Sequence, residues 1–124
     1  MVDDAIEIRA LLERWAKAVR DGDMAGILAD HADDIVMFDV PKPLQSRGIK
    51  AYRGTWELFF GYSKGGPTAF NIIEIDVTAG DRTAFCNAIL GIEESRLRLT
   101  VGLRKDGGRW VVAHEHHSYP ADIE

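Results

Sequence analysis

Three of the four histidines of this 124-residue chain fall in one run, His114-Glu115-His116-His117, with a carboxylate among them. Imidazole exchanges a proton near neutral pH, and a neighbouring carboxylate can orient it or share that proton, so the run has the ingredients of acid and base chemistry. It sits in Trp110-Val111-Val112-Ala113-His114-Glu115-His116-His117-Ser118, which reads as a final β-strand. Alternate side chains on a strand face opposite ways, so His114 and His116 share one face and Glu115 and His117 the other. Whichever pair faces the core must find a partner or a use, because burying unpaired polar groups is costly. A second carboxylate, Asp39, ends the β-rich stretch Ile35 to Val40 just before Pro41 and Pro43. Apolar neighbours could raise its pKa toward that of a useful base, while the competing role is to cap the Pro41-Lys42-Pro43 turn through its own backbone.

Other chemistries have less support. His114-x-His116 could supply two metal ligands, but no third is signalled, and neither a metal nor another cofactor is expected. There is no glycine-rich phosphate loop and no nucleophile elbow. Cys86 has no second cysteine to pair with and lies in an apolar run, as a small core residue would. His31 reads as a surface residue at a helix end, where the helix dipole favours it.

The elements that must position these groups follow from periodicity. Asp3 or Asp4 can cap a helix with apolar positions Ile8, Leu11, Leu12, Trp15, Ala18 and Val19. Gly22 stops it, and Asp23 caps a short second helix through Met24, Ile27 and Leu28. A short strand, Ile35 to Val40, precedes a third helix, Ile49 to Tyr62, with Tyr52, Trp56, Phe59 and Phe60 on one face. Beyond Gly65-Gly66-Pro67 the chain reads as three or four longer strands with turns at Ala79-Gly80-Asp81 and Asp106-Gly107-Gly108. The fold class is therefore α+β, with helices covering one face of a curved antiparallel meander, in a single domain over residues 1–124.

The last hairpin leaves two registers open. A two-residue turn at Asp106-Gly107 sets Leu103 opposite Trp110 and sends His114, His116 and Ser118 to the apolar face. A three-residue loop, Asp106-Gly107-Gly108, sets Leu103 opposite Val111 and sends Glu115 and His117 inward.

Charge and composition limit the partners. The formal net charge is −5, and the basic residues are scattered rather than blocked, which argues against nucleic acid. No apolar run is long enough to span a bilayer and the N-terminus lacks a signal pattern, so the expected location is the cytoplasm.

Arg14-Trp15 leading to Asp21-Gly22-Asp23, Ala32-Asp33-Asp34 running to Phe38-Asp39, and Arg47-Gly48 before the third helix together resemble the nuclear-transport-factor-2-like superfamily, within it the SnoaL-like and ketosteroid-isomerase-like proteins. The ending Trp110 to Ser118 is also similar to the last strand of the calcium/calmodulin-dependent kinase association domain. The resemblance spans essentially the whole chain. It implies a cystatin-like α+β roll, a cone of three helices over the concave face of a curved sheet, enclosing an apolar pocket, with a homodimer through the convex face. Carried over by position, Asp39 falls on the isomerases' catalytic carboxylate, Trp15 on their oxyanion-donating tyrosine and Trp56 on a supporting tyrosine. Their second, protonated acid would fall near Thr100 or Val101, neither of which is acidic, so steroid isomerisation itself is disfavoured. The pocket face of the last strand would be Val111, Ala113, Glu115 and His117, which favours the three-residue loop.

The resulting expectation is a cofactor-independent isomerase, cyclase or dehydratase acting on a small apolar carbonyl or hydroxyl compound. Asp39, His117 and Glu115 would do the chemistry, and Trp15, Phe38, Trp56, Phe59, His114 and His116 would meet the ligand. The alternative is a ligand-binding or association module without catalysis, using a convex surface that carries Arg96, Arg98 and Thr100.

Overall fold

A computed structural model describes residues 3–123, running through α1 (Asp4–Asp21), α2 (Met24–Leu28), β1 (His31–Phe38), β2 (Ser46–Arg47), α3 (Ile49–Phe60), β3 (Asn71–Ala79), β4 (Thr83–Ile92), β5 (Ser95–Asp106) and β6 (Arg109–Ser118). Helix boundaries follow the capping residues. Asp3 accepts from the Ala5 and Ile6 amides at the start of α1, and Gly22 ends it in the left-handed region at φ 68°, where a side chain would be strained. Asp23 then accepts from the Gly26 amide and starts α2. Helix α3 stops at Phe60, two residues short of the expected Tyr62, with Gly61 following.

The strands form one six-stranded sheet in the order β2-β1-β6-β5-β4-β3. From β3 to β6 it is the antiparallel meander that the turn signals indicate. Strand β1, however, lies parallel to β6, so the sheet is mixed rather than antiparallel throughout. No tight turn joins these two strands, and only a hairpin would oblige them to run in opposite directions. The helices lie on the face carrying Cys86, Ala88, Leu90, Leu97, Leu99, Val101 and Leu103, and these pack with Ile8, Leu12, Trp15, Val19, Tyr52 and Trp56 into one core. Cys86 is fully buried and unpaired, and its burial pushes the thiol up to about 11. Among the described residues no helix is long and apolar enough to cross a membrane.

The final hairpin adopts neither expected register. Its turn is Gly107-Gly108, at φ 57° and 79°, a two-residue turn in which both positions need the left-handed region that glycine enters freely. Asp106 is opposite Arg109, Lys105 opposite Trp110 and Leu103 opposite Val112. The register then slips by one residue, so that Gly102 pairs with His114, Val101 with Glu115 and Leu99 with His117. This bulge reverses which residues face inward. Trp110 and Val112 are core residues before it, Glu115 and His117 are buried after it, and Ala113 takes up the extra position. Glu115 and His117 thus face inward as the resemblance implies, but Val111, though buried, and the half-buried Ala113 are not part of the main core cluster.

A larger irregularity opens β1. His31 pairs with Val112 and Val36 with His114, so five steps along β1 match two along β6, and the exposed pair Asp33-Asp34 bulges out between them. The strand therefore begins at His31, four residues before the sequence pattern becomes legible at Ile35.

Candidate functional site

Beneath the helices, Glu115 is 1% exposed and sits at the centre of a buried hydrogen-bonded cluster drawn from four elements. One oxygen, Oε1, accepts from His117 Nε2 at 3.1 Å. The other, Oε2, accepts from the Tyr52 hydroxyl at 2.6 Å and lies 3.0 Å from His31 Nε2. The Tyr52 oxygen is in turn 3.1 Å from His31 Nε2 and accepts from Trp15 Nε1 at 3.1 Å. Helix α1 contributes Trp15, the start of β1 His31, α3 Tyr52, and the end of β6 both Glu115 and His117.

Burial works to raise the Glu115 carboxyl pKa, but hydrogen bonds from His117 and His31 outweigh it and hold the group down at about 2. Glu115 is therefore a carboxylate at neutral pH. Tyr52 moves the other way. Burial first, and then the Glu115 charge and hydrogen bond, push its phenol well above the usual range, so it remains a neutral donor.

His117 is the member of the cluster that reaches a cavity. An opening of about 220 Å³ lies between α3, the end of β1 and the ends of β5 and β6. Met37, Phe59, Phe70 and Leu97 give it apolar walls, and His117, Asp39 and Thr55 supply polar groups. Because His117 Nε2 donates to Glu115, its Nδ1 is left with no protein partner among the described residues, on a ring that lines the cavity. Trp56 also lines the cavity, and its buried Nε1 lacks a hydrogen-bond partner.

The residues singled out from the sequence divide between three places. Asp39, Trp56, Phe59 and His117 line this same cavity. Asp39 stands partly exposed at its mouth, and its Oδ1 accepts from the Val40 amide at 2.8 Å, the local backbone role weighed for it. Glu115 and Trp15 lie behind the wall, and neither lines the cavity. Trp15, rather than standing where a ligand oxyanion would be met, donates to Tyr52. Phe38, His114 and His116 are on the outer face of the sheet, a correction to their expected place beside a ligand. There His114 Nδ1 bonds the Val36 carbonyl oxygen at 2.7 Å, and the Phe38 ring stands edge-on to both imidazoles.

Two members of the cluster escape the sequence reading. His31 is not a surface residue at a helix end: its side chain is 0% exposed, because β1 starts earlier than its apolar pattern and carries the ring inward. Tyr52 is legible as one of the apolar-face residues of α3, but its hydroxyl finds a partner 63 residues away, which no local pattern signals.

A curved sheet capped by three helices, with an apolar cavity and buried polar groups behind its wall, defines the cystatin-like, nuclear-transport-factor-2-like class of folds. Residues 8–122 match the SnoaL-like domain, and the chain belongs to that family. A crystal structure of an NTF2-like protein of unknown function from Pseudomonas putida is 41% identical, covers 100% of this chain and 93% of its own, and superposes with a TM-score of 0.86. A cystatin-like-fold protein from Nostoc punctiforme is similar over 95% of this chain and 92% of its own at 15% identity and a TM-score of 0.79. A candidate ketosteroid isomerase from Parabacteroides distasonis is similar over 94% and 88% at 17% identity and a TM-score of 0.73. The last two likenesses concern the fold alone. No curated protein matches the chain.

Proposed function

We propose that the protein binds a small apolar molecule bearing a carbonyl or hydroxyl group in this cavity and moves a proton on it, without a cofactor. The observation that carries this reading is the His117 ring, which lines an apolar cavity while a buried carboxylate fixes it through Nε2 and leaves Nδ1 without a protein partner. A neutral imidazole nitrogen held in one orientation is a ready base, and apolar walls strengthen its electrostatic contact with a developing charge. Asp39 at the mouth is a second group able to take or return a proton, as its position in the isomerase-like proteins suggests. Glu115 acts through His117 as a positioning residue.

The test is a thermal-shift screen of planar phenols and small ketones against the wild type, His117→Gln and Asp39→Asn. A ligand held by the folded state raises the melting temperature by mass action. The expected result is a class of compounds that stabilises the wild type and loses most of its effect in His117→Gln. Equal shifts in all three proteins, or none in any, would remove the cavity chemistry.

A second observation favours self-association through the outer sheet face, which carries Arg96, Arg98 and Thr100 and where Ile73, near Gly91 and Arg96, and Phe85, opposite Gly102, stand 51% and 47% exposed toward its two ends. Large apolar side chains exposed on an open sheet face are natural interface anchors, and a homodimer would cover them symmetrically. Sedimentation should give a dimer for the wild type and a monomer for Phe85→Lys. A wild-type monomer would end this reading.

A further inference from the structure

The buried cluster holds one more imidazole than the proposed chemistry uses. We propose that His31 is a positioning residue that carries the charge balancing Glu115, and thereby keeps His117 neutral, with the Nδ1 lone pair open to the cavity. This rests on the reading of His117 as the group that meets the ligand.

The protons can be counted from the partners. His31 Nδ1 lies 2.7 Å from the Ala29 carbonyl oxygen, which can only accept, so Nδ1 carries a proton. His31 Nε2 lies 3.0 Å from Glu115 Oε2 and 3.1 Å from the Tyr52 oxygen, and the single Tyr52 hydroxyl proton is taken up by the shorter 2.6 Å bond to Oε2, so neither oxygen has a proton for Nε2. A carboxylate oxygen has no proton to give, so Nε2 must donate as well, and the ring is an imidazolium. A lone pair placed there would face a carboxylate at contact distance and leave part of its charge unanswered inside the core.

The consequence falls on Oε1. With His31 positive and Glu115 negative, the pair is neutral, and His117 can meet Oε1 with an ordinary N–H. Without the His31 charge, the nearest way to balance Glu115 is a second proton on His117, and that proton closes Nδ1. Of the other groups facing the two rings, only Asp39 bears on the charge of His117. Tyr52 is a neutral donor, Trp15 and Trp56 add only indole edges, and β5 opposes His117 with Leu99. Asp39 is the one further charged group among the described residues lining the cavity, and it would draw a proton toward His117 rather than away.

The test is a nitrogen-detected NMR titration of the histidine rings in the ligand-free protein, so it stands apart from whether any ligand binds. In the wild type at neutral pH, His31 should show two protonated ring nitrogens and His117 one, at Nε2. In His31→Gln, which keeps a donor for Glu115 but not the charge, His117 should titrate about one pH unit higher or more, the size of shift an added or lost neighbouring charge produces. Glu115→Gln should move it the opposite way. An unprotonated nitrogen on His31 in the wild type overturns the proposal, and that reading needs no variant to fold. An unchanged His117 titration in a folded His31→Gln overturns it too. A ligand screen that fails while these shifts appear would sink the cavity chemistry and leave the charge balance standing.

Discussion

The run His114-Glu115-His116-His117 places like residues on the two sides of one sheet, and they have different fates. Outside, His114 bonds a backbone carbonyl, His116 is exposed, and Phe38 packs against both. Inside, Glu115 is sealed from water with a partner for every polar atom of its carboxylate, and His117 is buried except where its ring meets the cavity. Water can replace a lost hydrogen bond on the outer face and cannot do so in the core. Side chains one residue apart should therefore differ severalfold in what they contribute.

Substituting along the strand breaks the comparison most directly. Glu115→Ala should cost about 3–5 kcal/mol of unfolding free energy, because it strands His31, His117 and the Tyr52 hydroxyl in the core. Tyr52→Phe should cost about 1–3 kcal/mol, through one lost donor and an uncovered carboxylate oxygen. His114→Ala should cost about 1 kcal/mol for its bond to Val36 and contact with Phe38. His116→Ala should stay within about 0.5 kcal/mol. Urea denaturation of the four variants checks the order, and a His116→Ala loss equal to that of Glu115→Ala would erase the distinction between the faces.

Acid sharpens the same contrast. The Glu115 carboxyl is held at about 2 in the folded protein against an ordinary 4.5. A depressed carboxyl contributes stability that is complete above its unfolded pKa and is lost as pH falls through the folded one. Stability of the wild type should thus decline between about pH 4.5 and 2. The decline should be shallower in Glu115→Gln, while His116→Ala should follow the wild-type curve. Parallel curves for wild type and Glu115→Gln would mean that the carboxylate does not carry this dependence.

Much of the architecture is legible in the chain. Asp3, Gly22 and Asp23 mark the helix ends, and apolar spacing gives the core faces of α1 and α3. The turn signals give the meander. These features are local, since capping and periodicity depend on residues a few positions apart. Resemblance adds the roll, the cavity and the inward aim of Glu115 and His117.

What the chain alone does not reveal depends on slips in register and on distant partners. The hairpin turn at Gly107-Gly108 and the bulge opposite Gly102 each shift the strand, and a shift of one residue exchanges its two faces. Trp110 and Glu115, of opposite parity, are consequently both buried. The bulge at Asp33-Asp34 hides the beginning of β1 and with it the direction of His31. Tyr52 and Glu115 meet across 63 positions. Local sequence determined that a helix face and a strand end would exist, because each depends on near neighbours. Only the packed structure decided that His31, Tyr52 and Glu115 converge, because the need to satisfy buried polar groups can be met only where distant elements come together.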